Sequence, residues 1–336
     1  MKIAVITPWA VKCGIHSYSR DLTEAIAKLG HEVYIVRLPR FGAKTTEILQ
    51  LVVDKIPVDK IDIIQISHEY GLYQNLEGGF YGALKRLGKP IISILHAVGN
   101  FQIDQVVGDA SDVVIVHNEF CAKQCRTPSV IIPHGCTPTE CVPIEEAKKS
   151  YGLRQEWPIV GYLGFISNYK NLEQLIEAMV KVPKAALLIG GGWHTEKSPI
   201  YIQQLKQWSL EMLPGRVQWL GYVPDKDMPR AYGAMDIVVY PSLFATESGA
   251  LLTALSHGKA VISSRLKPFR EKEKLGALMT FKSVGDLTRK IKRLLRDDEL
   301  RVKLEEGARR YAESVAWSEV ARRHVSLYED VIGGKH

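Results

Sequence analysis

Short runs of branched and apolar residues recur along the chain, each parted from the next by a stretch of helical periodicity. In the first half the runs fall at 3–7, 33–37, 61–66, 91–95, 113–116 and 130–132. Between the first two, Ile15, Leu22, Ile26 and Leu29 lie at helical spacing over 15–29, and Gly30 is a stop signal. Strand, helix, strand repetition implies a parallel sheet with helices on both faces, because parallel neighbours need a long crossover. After a polar connector at 143–157 the pattern restarts, with runs at 159–163, 186–189, 217–219, 237–240 and 260–263. The reading is therefore α/β, with two Rossmann-like doubly wound parallel sheets: one domain over 1–150, a second over 151–315, and a terminal helix within 316–336. Two such sheets are expected to face each other across a cleft at the carboxyl ends of their strands, where open α/β folds bind ligands.

No apolar run reaches the roughly 18 residues that a membrane-spanning helix needs. The amino terminus reads as a first buried strand rather than a signal peptide, because a long apolar core and a small-residue cleavage site are lacking. The five cysteines, Cys13, Cys121, Cys125, Cys136 and Cys141, are few and odd in number, which argues against a secreted disulfide framework. A cytoplasmic location is expected, with a peripheral contact at the inner membrane face left open. Cys121 with Cys125 and Cys136 with Cys141, near His117 and His134, make zinc conceivable, but the spacings depart from the common C-x2-C and favour inert buried thiols. The formal net charge is +7, and it lies wholly in the second half: residues 1–150 hold 16 Lys+Arg against 16 Asp+Glu, residues 151–336 hold 28 against 21. Such a balance suits an anionic ligand, but charge alone names no partner, and no nucleic-acid recognition motif accompanies it. Acidic residues are interspersed through 265–274 and 289–310, so these helices are expected to present solvated, ion-paired faces.

Three loops carry the chemistry. The first strand runs through Pro8 and Cys13 into a helix at Gly14, where a glycine lets backbone amides approach an anion, although the full G-x-G-x-x-G spacing is missing. In the second half, 161–171 leads from a strand through Gly164 and Asn168 to Lys170 at a helix start. A cation placed there opposes the helix dipole unless an anion compensates. The segment 241–262 ends a strand, carries Glu247, and opens a helix at Ser248-Gly249-Ala250. That helix N-terminus offers amides to a diphosphate, while Glu247 either accepts sugar hydroxyls or serves with Ser248 merely as a cap. The run Gly190-Gly191-Gly192 is similarly permissive.

Taken in order, these segments resemble the retaining family 4 glycosyltransferases of the two-Rossmann-domain (GT-B) architecture, also called glycosyl transferases group 1. The likeness rests on Cys13-Gly14-Ile15-His16, Gln65-Ile66-Ser67-His68-Glu69, Ile132-Pro133-His134-Gly135, the loop from Phe165 to Asn171, Gly221-Tyr222-Val223-Pro224, Ala234-Met235-Asp236-Ile237 and the closing helix from Trp317. The resemblance implies metal-independent hexosyl transfer from a nucleoside-diphosphate sugar with retention of configuration, GDP-mannose being the first donor to try. No cofactor beyond that co-substrate is implied; the acceptor is a glycan, a lipid-linked sugar or a small molecule. It assigns catalytic roles to His96, Glu247 and Lys170 and donor contacts to Gly14, Gly164, Asn168, Ser248, Gly249, Ala250 and Thr253. Acceptor-side roles follow for His16, His68, Glu69 and His134, and the terminal helix is expected to pack back on the first domain. Two departures stand out: Phe165 holds the place of a donor-phosphate arginine, and Thr253 that of a second glutamate. They keep open a non-catalytic nucleotide- or sugar-binding protein on the same fold.

Overall fold

The computed structural model describes residues 1–11, 13–39, 44–192 and 198–335. Lys12, in the first glycine loop, lies outside them. The chain divides into two compact units: Met1–Gly135 with Val315–His336, and Cys136–Ser314. Residues 136–150, read from sequence as the end of the first domain, thus belong to the second unit.

Unit 1 contains β1 (Lys2–Pro8), α1 (Gly14–Lys28), β2 (Glu32–Leu38), α2 (Thr46–Val53), β3 (Ile63–His68), α3 (Tyr70–Tyr73) and α4 (Glu77–Lys85). It continues with β4 (Ile91–Leu95), α5 (Phe101–Ala110), β5 (Val113–Val116), α6 (Glu119–Gln124) and β6 (Val130–Ile131). Its six strands run parallel in the order β2-β1-β3-β4-β5-β6. The central strands β3, β4 and β5 are buried along their length, as expected for a sheet covered on both faces.

Unit 2 contains α7 (Ile144–Ser150), β7 (Ile159–Leu163), α8 (Leu172–Val180), β8 (Ala186–Gly190), α9 (Ser198–Met212), β9 (Val217–Gly221), α10 (Met228–Gly233) and β10 (Ile237–Tyr240). It ends with α11 (Gly249–Ser256), β11 (Ala260–Ser264), α12 (Lys267–Lys274), β12 (Met279–Phe281), α13 (Val284–Leu294) and α14 (Asp298–Ser314). The order is β12-β11-β10-β7-β8-β9, again all parallel. The short edge strand β12 is not evident as an apolar run in the sequence.

In both sheets the first strand is internal, second of six in one and fourth of six in the other, and the chain reverses its direction of travel beside it. The reversals fall between β1 and β3 and between β7 and β10. At such a switch point neighbouring loops leave in opposite directions, which opens a crevice at the strand carboxyl ends.

The last helix, α15 (Trp317–Ile332), returns to unit 1 and packs on α1. A buried polar chain locks it: the Tyr18 hydroxyl lies 3.3 Å from His324 Nε2, His324 Nδ1 lies 3.1 Å from the Tyr328 hydroxyl, and that hydroxyl donates to Gln65 Oε1 at 2.7 Å. One pattern satisfies all three bonds, with Tyr18 donating to Nε2 and the Nδ1–H donating to Tyr328, so His324 is neutral. Burial, with a smaller contribution from His117, lowers its pKa to about 3. No helix among the described residues is long and apolar enough to cross a membrane.

Candidate functional site

In unit 2, the two loops singled out from sequence leave β7 and β10, the strands that flank the switch point. They are tied directly: the Leu243 amide donates to the Tyr169 carbonyl at 2.8 Å, and the Tyr169 and Phe244 rings stack at 4.7 Å. The buried Tyr240 hydroxyl lies 3.0 Å from the Leu163 carbonyl and 2.7 Å from the Ala250 carbonyl, joining the end of β7 to the first turn of α11. Gly164 packs against that same turn. A Cβ built on it would stand 3.0 Å from the Ala250 Cβ, and its φ of +153° disfavours any side chain. Gly191 is more constrained, since its Cβ would meet the Gly164 carbonyl oxygen at 1.9 Å.

Gly164, Ser248, Gly249 and Ala250 therefore come together, and Asn168 and Lys170 extend from the same loop. Lys170 ends a 3-10 turn over Asn168–Lys170, and its ammonium lies 4.7 Å above the Tyr169 ring. Ser248 caps α11 by accepting the Leu251 amide at 3.3 Å. Thr253 Oγ1 donates back to the Gly249 carbonyl at 2.9 Å, so its hydroxyl hydrogen is committed within the helix.

Glu247 takes a different position from the one expected of a sugar-orienting group. Its carboxylate turns inward, Oε2 to Lys272 Nζ at 2.7 Å and Oε1 to the Ser248 amide at 2.8 Å, with 6% of its side chain exposed. Both oxygens of Glu247, expected from the sequence to orient the sugar, thus each hold a bond within the protein. The expectation of a solvated face at 265–274 is corrected at one residue. Lys272 on α12 is buried rather than solvated, at 3% side-chain exposure. Burial acts to lower its pKa, but the Glu247 carboxylate outweighs this and, with Tyr311, leaves it raised. No spacing or motif points to this pair, whose members stand 25 positions apart. By contrast, the basic residues of α13 and α14 form exposed ion pairs such as Arg289–Asp286 and Arg310–Glu306.

In unit 1, Gly14 opens α1 with open space around it, and Cys13 is the cap, its sulfur accepting the His16 amide at 3.3 Å. His16 sits edge-on to Trp9 at 5.1 Å, its pKa lowered by partial burial and then by Arg20. His96 follows β4 and joins a cluster around Tyr18, whose ring lies within 4.7–5.2 Å of His96, His117, His134 and Trp317. His117 Nδ1 is 3.2 Å from the Ile132 carbonyl and can only donate there. With His117 neutral, its Nε2, 3.2 Å from His96 Nδ1, accepts. This pattern assigns the proton of His96 to Nδ1 and leaves Nε2 an acceptor. Burial, followed by His117, His134 and His68, holds the His96 pKa well below the ordinary imidazole value, so it is neutral at pH 7. His134 also bonds the Gly135 carbonyl through Nδ1 at 2.7 Å.

His68, expected on the acceptor side, is fully buried, stacked on Tyr73 at 5.0 Å, with Nε2 3.5 Å from Glu77 Oε1. Glu69 caps α3 by accepting the Gly71 amide at 3.0 Å, a local structural task. All five cysteines are free thiols, and among the described residues no group of three metal-ligating side chains comes together.

The family model described as glycosyl transferases group 1 matches residues 143–311, just over half the chain and nearly all of unit 2. The chain belongs to this family. The O-antigen chain mannosyltransferase B of Escherichia coli is 25% identical over 205 residues, 57% of this chain and 50% of that protein. A D-inositol 3-phosphate glycosyltransferase of Corynebacterium glutamicum is 24% identical over 57% of this chain and 48% of its own length. The chain thus spans about half the length of these curated relatives. An uncharacterized glycosyltransferase of Methanocaldococcus jannaschii aligns over 98% of both chains at 22% identity. Among solved structures, the sucrose-phosphate synthase of Thermosynechococcus elongatus superposes with a TM-score of 0.81 at 18% identity, covering 99% of this chain and 100% of that one. Anabaena HepE in complex with UDP gives 0.80 at 16% identity, over 98% and 100%. These structural likenesses establish the fold, two Rossmann-like units of the GT-B glycosyltransferase type.

Proposed function

We propose that this family member is a retaining, metal-independent glycosyltransferase that takes a hexose from a nucleoside-diphosphate sugar and places it on a hydroxyl acceptor. The observation that carries the reading is the convergence, at the β7/β10 switch point, of Gly164, Lys170 and the first turn of α11. Each of these groups suits a diphosphate. The amides of a helix N-terminus and a lysine supply positive potential where the leaving group gains negative charge, and such electrostatic stabilisation is commonly the largest contribution to a barrier reduction.

As the bond between the anomeric carbon and the diphosphate oxygen breaks, Lys170 and the α11 amides would take up the charge left on the diphosphate. The acceptor oxygen then bonds to the same face of the anomeric carbon, and its proton passes to the departing phosphate oxygen. Neutral His96, with Nε2 as an acceptor, is proposed to take a hydrogen bond from a sugar hydroxyl; His16 and His134 are proposed to meet the acceptor. Gly14, at the start of α1, is proposed as a further amide for an anionic group. The mannosyltransferase relative makes GDP-mannose the first donor to test, and UDP-glucose the second. Phe165 in place of an arginine favours one second reading, a binding protein without transferase activity.

Purified protein incubated with each donor, a panel of sugar and polyol acceptors and EDTA should release nucleoside diphosphate and form a product whose anomeric proton, by NMR, keeps the donor's configuration. An inverted product would overturn the retaining assignment. Tight donor binding with neither transfer nor hydrolysis would favour the binding protein.

A further inference from the structure

We propose that Lys272 is a positioning residue for donor binding, holding the turn that opens α11 through its ion pair with Glu247; this rests on the reading of unit 2 as the donor-binding unit. The carboxylate of Glu247 joins α12 to the cap of α11. One oxygen meets Lys272 of α12 at 2.7 Å and the other accepts the amide of Ser248, the residue that caps α11. The ring of Tyr311 on α14 lies 5.7 Å from the same ammonium; Glu271 is the ammonium's other titratable neighbour, and the Cys136 thiol is the one that faces the Glu247 carboxylate. Burying an ion pair confers no stability that an apolar pair of the same size could not match. What it supplies here is direction, because only an oppositely charged partner on α12 fixes where the carboxylate stands, and the carboxylate fixes the Ser248 amide.

The effect falls on the adjacent turn. With the Ser248 amide taken by Glu247 and the Leu251 amide taken by Ser248 Oγ, the amides of Gly249 and Ala250 are the ones this turn leaves without an acceptor among the described residues. They lie beside Gly164, in the loop that ends at Lys170. Releasing the tether would let the 245–248 loop rotate and swing these amides away from a bound diphosphate, with no change in any group that touches it.

The test uses the doubly neutral variant Glu247→Gln/Lys272→Met, which removes the tether without stranding a buried charge, alongside Lys272→Arg, which retains it. UDP and GDP are each titrated calorimetrically in EDTA, and thermal melting is recorded on the same samples. The proposal expects the double variant to melt within a few degrees of the wild type yet bind the preferred diphosphate at least about tenfold more weakly. Lys272→Arg should bind within about threefold of the wild type. A merely structural pair would shift melting and leave affinity alone, and unchanged affinity in the double variant overturns the proposal while the donor reading stands. If the wild type binds neither diphosphate, the donor reading fails and the proposal falls with it.

Discussion

Replacing Lys170 by alanine separates a ligand-directed cation from an incidental one. In the folded protein its ammonium rests 4.7 Å above the half-exposed Tyr169 ring, a cation–π contact of about 0.5–1 kcal/mol at such a site. Its loss should lower the melting temperature by only about 1 °C, since at ~2.1 cal/mol/K per residue 1 kcal/mol shifts the midpoint of a chain this long by about 1.4 °C. Against a departing diphosphate the same ammonium would make a charge-assisted bond of about 3 kcal/mol, and at about 1.36 kcal/mol per decade this is roughly 10²-fold in rate. Phe165 supplies no charge to compensate. Because the bond strengthens as the diphosphate leaves, kcat should fall further than KM rises. Steady-state kinetics with the accepted donor, for wild type, Lys170→Ala and Lys170→Arg, measure this directly. A Lys170→Ala enzyme within threefold of wild-type kcat would refute the assignment of leaving-group stabilisation to Lys170.

Gly191→Ala should weaken nucleoside diphosphate binding and lower stability together, since the new Cβ meets the Gly164 carbonyl at 1.9 Å and displaces the loop that leads to Lys170; calorimetry and melting on one sample check both. Thr253→Ala should be mild in kcat and KM, because its hydroxyl bonds only the helix carbonyl of Gly249 in this structure, and a severe kinetic loss would place the threonine on the donor. The His324 pKa is depressed in the fold relative to an ordinary histidine, so the unfolded chain binds the extra proton. Stability should therefore be intact above about pH 6.5 and decline as the pH falls toward 3, by up to ~1.4 kcal/mol per unit from this residue. Denaturant titrations at stepped pH should show a shallower acid decline for His324→Gln than for the wild type.

The strand pattern was readable because central parallel strands are buried on both faces and appear as unbroken branched runs, as in 63–66, 91–95 and 237–240. Edge strand β12 escaped because three residues carry too little pattern, and only its pairing with β11 defines it. The glycine positions after β7 and β8 were readable for a similar reason, since Gly164 and Gly191 answer to backbone geometry that no other residue satisfies cheaply. The orientation of polar side chains was not. His68 and Glu77 lie nine residues apart and meet only through the fold of α3 and α4, and His96, His117 and His134 converge from three successive strand ends. Lys272 illustrates the limit most clearly. Helix α12 has the composition of a solvated face, and Glu247 before α11 together with the Tyr311 ring on α14 meets that one lysine in the interior.

The central claim is that unit 2 binds a sugar-nucleotide diphosphate without metal and the protein then transfers the sugar. Turnover of GDP-mannose and UDP-glucose in millimolar EDTA, followed by release of GDP or UDP with and without acceptor, tests it most directly. The account predicts that one donor is cleaved in EDTA at a rate that manganese does not raise and that acceptor increases. Absence of cleavage in EDTA with recovery on adding manganese would contradict it.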